Sequence, residues 1–125
     1  KFMATKECPV HANMKQAMLD ATDTSTVAFG RKTGLSRCLK NEYTREHMAL
    51  EAGGASFEEM RNYERSGTPS LQGRRRVPAA LVDGNVVYGS AAMGAVAGLI
   101  GEISTVADVV QSMVRGADEV LAKLA

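Results

Sequence analysis

Lys1-Phe2-Met3-Ala4-Thr5-Lys6-Glu7-Cys8-Pro9-Val10-His11 reads as the end of a strand, Phe2 to Thr5, passed through a polar link and Pro9 to a helix. From Val10 onward, Val10, Met14, Ala17, Met18 and Ala21 recur at helical spacing, and the polar turn Thr22-Asp23-Thr24-Ser25 closes the segment. The stretch has no initiator Met, signal peptide or opening turn residue, so it is expected to continue from chain upstream.

At 125 residues the chain has the usual size of one domain and can bury a real core. Lys and Arg number 15 against 14 Asp and Glu. That balance argues against a nucleic-acid or membrane-surface partner, and the run Arg74-Arg75-Arg76 is read as a solvated loop, with a phosphate clamp as the lesser alternative. No apolar run approaches the roughly 18 residues of a membrane span, so the expectation is a soluble, cytoplasmic protein. Cys8 and Cys38 suit a reduced compartment. Cys8 and His11 have metal-pair spacing, but zinc needs three or four ligands and the other histidine is His47, so no metal site is expected.

Thr26-Val27-Ala28-Phe29 is a plausible strand stopped at Gly30, and Gly30 to Gly34 is a loop. The loop lacks the spacing and the Gly-Lys-Ser/Thr ending of a phosphate-binding loop. Helical signals resume at Thr44, run through Met48, Ala49 and Ala52, and stop at Gly53-Gly54. Ser56 and Glu59 form a capping box for a helix carrying Phe57, Met60 and Tyr63 or Glu64, ending at Gly67. The two helices make an αα-hairpin, read as a packing module, with His47 a hydrogen-bonded structural histidine.

Ser66 to Arg76, with Pro69, is a loop or a boundary between units. Val77 to Val82 fits either a short helix opening on Pro78 or a strand turning at Asp83-Gly84. Ala91 to Ile100 reads as a helix containing the small residues Gly94, Ala95, Ala97 and Gly98. Each Gly there costs about 1 kcal/mol relative to Ala, which close packing or a ligand against the backbone must offset. The final element is about twenty residues of amphipathic helix. Thr105 and Asp108 cap it, and Val106, Val109, Val110, Met113, Val114, Ala117, Val120 or Leu121, and Leu124 form its apolar stripe.

Both ends carry a resemblance. Phe2-Met3-Ala4-Thr5 with Glu7-Cys8-Pro9, His11 and Lys15-Gln16-Ala17, and Gly89-Ser90 leading to Met93-Gly94, Ala97-Gly98-Leu99-Ile100 and Glu102-Ile103, resemble the nitronate monooxygenase (2-nitropropane dioxygenase) family. That family includes flavin-dependent enoyl-acyl-carrier-protein reductases and quinone reductases. The resemblance implies an α+β chain, mostly α with minor β, forming the C-terminal portion of a TIM-barrel flavoenzyme. A whole barrel needs roughly 250 residues. Residues 1–20 would end the last barrel strand and give its helix, 21–89 would be an inserted substrate-covering domain, and 90–125 the closing barrel helices. Val77 to Val82 is then a helix, followed by an irregular Asn85 to Ser90.

The resemblance implies FMN as cofactor and NAD(P)H as an electron donor, with a small-molecule substrate. Cofactor-binding positions are Lys1, which matches an Arg after the family's Gly-Thr, and Met93 and Gly94 in the segment that closes over the flavin. The family's catalytic His lies on an earlier strand, so no catalytic residue is expected here. Many members carry Gln where this chain has Ala95. Glu7-Cys8-Pro9 with His11 favours alkyl nitronate oxidation with O2; an NAD(P)H-dependent enoyl-ACP or quinone reductase is the alternative within the family. Arg31, Lys32 and Arg37 are candidates to meet an anionic substrate or cofactor tail, beside the simpler reading of a solvated face. Partners would be the missing N-terminal part of the barrel or a second copy, and the isolated chain is expected to be inactive. A stand-alone helical interaction module is the reading from another class.

Overall fold

The computed structural model describes residues 1–66 and 71–124. The helices are α1 (Ala12–Leu19), α2 (Glu42–Ala52), α3 (Phe57–Arg65), α4 (Arg76–Leu81) and α5 (Val106–Leu124). Two strands, β1 (Thr26–Phe29) and β2 (Ser36–Leu39), pair antiparallel with Thr26 opposite Leu39 and Phe29 opposite Ser36. The fold is mostly helical with a small two-stranded sheet, as expected.

The amino-terminal segment departs from the expected strand. Phe2–Ala4 is a 3-10 turn, and extended pairing is confined to Thr5, which bridges in parallel to Ser104 while Lys6 N–H donates to the Ser104 carbonyl. A parallel barrel strand needs a neighbour on each side, and among the described residues Ser104 is the one residue that bridges to Thr5 in strand fashion. Beyond that bridge Glu7 reaches the first turn of α5: both its carboxylate oxygens lie 3.1 Å from the Val106 amide. Thr105 and Asp108 close the reciprocal cap, with Asp108 accepting from the Thr105 N–H and Thr105 Oγ1 accepting from the Asp108 N–H.

α1 is capped by His11, whose Nδ1 accepts from the Asn13 amide. Met14 and Met18 on its inner face join Ala4, Ala80, Ala91, Met93 and Ala97 in the main core. These small and flexible side chains fill an irregular space where elements approach closely.

Sequence patterning misplaced the start of α2. Asn41, not Thr44, is the cap: its Oδ1 accepts the Thr44 amide while Thr44 Oγ1 accepts the Asn41 amide. Asn41 Nδ2 also donates to the carbonyls of Val86 and Gly89, fixing the helix to the irregular segment before Ser90. α3 forms as read, with the Ser56 and Glu59 box in place. Its expected stop at Gly67 and the Pro69 loop lie outside the described residues.

For Val77 to Val82 the helix is correct, though it opens at Arg76, two residues before Pro78. The helix expected over Ala91 to Ile100 shrinks to a 3-10 turn, Ala95–Leu99. Gly94 before it is extended, and Ala92 bridges to Cys38 at the edge of β2. Pairing with the hairpin thus uses backbone groups that a longer helix would have needed.

Apart from Val109, the apolar stripe of α5 is uncovered: Met113 is 48% and Leu121 64% exposed. Among the described residues, no other helix packs extensively on it.

Candidate functional site

Lys1, Met93 and Gly94 face different surroundings. Lys1 is exposed and lines a cleft of about 290 Å³ whose opposite wall is Leu99, Ile100 and Gly101. Glu102, Asp108 and Arg115 complete its charged rim, two cations against two carboxylates. Met93 is 9% exposed and belongs to the core cluster with Ala4 and Met14. Gly94 is exposed at the start of the 3-10 turn. Lys1 and the far end of the Met93 to Ile100 segment therefore share one cleft, and Met93 supports that segment from below.

The two central glycines of the segment separate by cause. A Cβ on Gly98 would lie 2.6 Å from the Thr22 carbonyl carbon and 2.8 Å from the Asp23 nitrogen. Its lack of a side chain is required by close backbone packing. A Cβ on Gly94 would meet only Val96 Cγ2, at 3.9 Å. Nothing among the described residues demands glycine there.

The cations proposed for an anionic tail are dispersed. Lys32 donates from Nζ to the Ala55 carbonyl at 2.6 Å and from its amide to Glu51, bracing the hairpin loop against the α2–α3 turn. Arg37 donates to Thr26 Oγ1 across the sheet at 3.1 Å. Arg31 is exposed.

The arginine run is where the sequence reading erred. Arg74 forms a two-pronged pair with Asp83 at 2.7 and 2.6 Å. Arg76 is not solvated: it is 2% exposed, with its guanidinium carbon 4.4 Å from the Tyr43 ring centre and 4.2 Å from that of Tyr63. Nη1 donates to the Tyr88 carbonyl at 2.9 Å and Nε to that of Tyr63 at 3.4 Å. Nη2 has no partner among the described residues. A desolvated cation over an aromatic face is stabilised by about 2 kcal/mol. The signal was present as two tyrosines on separate helices, but their convergence on one arginine is a tertiary fact.

His47 sits in the same cluster, fully buried, as expected of a structural histidine. Its Nε2–H donates to Glu64 at 3.0 Å, since an ionised carboxylate only accepts. Phe29 meets it edge to face at 4.8 Å. Burial raises the Glu64 carboxyl, but the hydrogen bonds from Thr33 and His47 outweigh it and leave the group below its usual range. Burial, reinforced by the Glu64 charge, pushes the Tyr43 hydroxyl up to about 12. Cys38, buried against Ser90, is likewise raised by burial, an inert thiol.

No family model matches the chain. Solved structures do. The chain is similar to FabK from Thermotoga maritima, at 30% identity and a TM-score of 0.78 across 98% of this chain and 36% of that one. A point mutant of FabK from the same organism matches at 25% identity, TM-score 0.72, over 98% and 34%. The chain spans about a third of the length of these structures.

Proposed function

We propose that this chain is the C-terminal part of an FMN-dependent oxidoreductase, and that the intact enzyme is an NAD(P)H-dependent enoyl-ACP reductase. The observation that carries the reading is the likeness to FabK over 98% of the chain at 30% identity. FabK is an FMN-dependent enoyl-ACP reductase of the nitronate monooxygenase-like family. Nitronate oxidation, which Glu7-Cys8-Pro9 and His11 suggested, therefore yields to the reductase as the finer reading. The structural uses of those residues agree: Glu7 caps α5 and His11 caps α1.

The residues present suit a flavin mononucleotide in part. Lys1, exposed on its cleft, would pair with the phosphate, and the open surface at Gly94 lets a ring approach the backbone. Met93, held in the core, would fix that segment's height. FMN supplies two-electron transfer between NAD(P)H and the substrate double bond. The chain's own task is positioning and exclusion of water, with residues 21–89 as the covering unit. Catalytic groups and most cofactor contacts would come from preceding barrel strands. The exposed stripe of α5 and the exposed Val96 and Leu99 are apolar surface such strands would cover.

Anaerobic titration of the intact enzyme tests this. Bleaching of the flavin by NAD(P)H, with reoxidation by an enoyl thioester, is the expected result. Bleaching by an alkyl nitronate and not by NAD(P)H would return the enzyme to nitronate oxidation.

A further inference from the structure

A second cleft, of about 530 Å³, opens between Phe29, the hairpin loop, α3 and the start of α4. Arg61, Arg75 and Arg76 line it, and among the described residues Glu64 is its one acidic lining residue. Three guanidiniums against one carboxylate leave two positive charges over. Glu64 is already engaged by Thr33, His47 and Arg61, the last at 3.4 Å. Arg76 has no carboxylate within salt-bridge distance among the described residues, although it is almost wholly buried. Burying an ion costs several kcal/mol unless charge and hydrogen bonds compensate. Two carbonyls and two tyrosine rings compensate in part, and Nη2 remains without a partner among the described residues.

We infer that this cleft binds a phosphate group. Its surplus of two charges matches a dianion better than a carboxylate, and guanidinium is the side chain best suited to phosphate oxygens. The Ser36 hydroxyl also lines the cleft as a hydrogen-bond donor, while that of Thr33 is engaged by Glu64 and that of Ser90 by Cys38. Phe29, Tyr43, Val77 and Pro78 add an apolar wall against which the organic part of a phosphate ester packs. The site is independent of the flavin reading, since it shares no lining residue with the Lys1 cleft.

Calorimetric titration of the protein with inorganic phosphate, with glycerol 3-phosphate and with acetate decides the matter. Saturable phosphate binding at one site, at least ten-fold tighter than acetate, is expected. Arg75→Ala, at an exposed position, should weaken it at least five-fold without changing the melting temperature in phosphate-free buffer. Tighter binding of glycerol 3-phosphate than of inorganic phosphate would identify an organic phosphate as occupant, and equal binding free phosphate. Non-saturable heats, equal affinity for acetate, or indifference to both Arg75→Ala and Arg61→Ala would overturn the site.

Discussion

The Glu7 carboxylate holds the Val106 amide at the first turn of α5 with both oxygens at 3.1 Å, across 99 positions of sequence. Helix amino termini leave four N–H groups without intrahelical partners and carry partial positive charge. Glu7 satisfies one of them and places its charge at the favourable end. Together with the Thr5–Ser104 bridge, this contact fixes where the long helix leaves the body.

Glu7→Ala should therefore cost about 1 kcal/mol of stability, the usual worth of a capping contact. Amide exchange at Val106 should accelerate with it. Unchanged exchange there would mean that the Thr105–Asp108 cap alone holds the helix start.

Acid should loosen two helix starts. Hydrogen bonds from Thr105 hold Asp108 below the ordinary carboxylate range, and those from Ser56 do the same for Glu59. A folded-state pKa below the unfolded one means stability that is present above the unfolded value, about 4, and lost as pH falls through the depressed folded values. Carboxylate carbon shifts followed by NMR should titrate below the ordinary Asp and Glu values for the two residues. Midpoints at or above the ordinary values would contradict the two capping boxes.

Glycine replacements should separate packing from surface positions. At Gly84, φ is +71° and a Cβ would fall 2.1 Å from His11 Nδ1, so Gly84→Ala should destabilise by about 1–3 kcal/mol. Gly98→Ala, blocked by the Thr22 backbone, should do the same. Gly94→Ala should leave stability within about 0.5 kcal/mol while weakening FMN binding by the intact enzyme. Thermal melts of the three variants check the order, and a large loss at Gly94 would reveal a structural demand absent from the fold described.

His47→Leu should lower stability by about 2–4 kcal/mol, because it removes a buried donor to Glu64 and the edge-to-face contact with Phe29. Urea unfolding measures it. A loss below 1 kcal/mol would show that the cluster around Arg76 does not depend on the histidine.

Features written in consecutive residues were legible. Ser56 with Glu59 and Thr105 with Asp108 each carry a complete capping signal within four positions, and α3 and α5 start where those signals put them. β2 was missed because Ser36-Arg37-Cys38-Leu39 buries only Cys38 fully and shows no apolar alternation; its strand state comes from pairing with β1. Arg76 was misread for a related reason. Nothing adjacent to it announces burial, and the rings that cover it come from Tyr43 and Tyr63 on two other helices. For the candidate flavin site, Lys1, Met93 and Gly94 were named from resemblance alone, whereas the closeness that explains Gly98 needed the Thr22 backbone in place.

The absorption spectrum of the protein isolated intact from its native source tests the central claim most directly. The account predicts a yellow protein with the two-banded spectrum of a bound flavin, released as FMN on denaturation in a one-to-one ratio. A colourless protein of 13.3 kDa that unfolds cooperatively would contradict it and favour a helical interaction module.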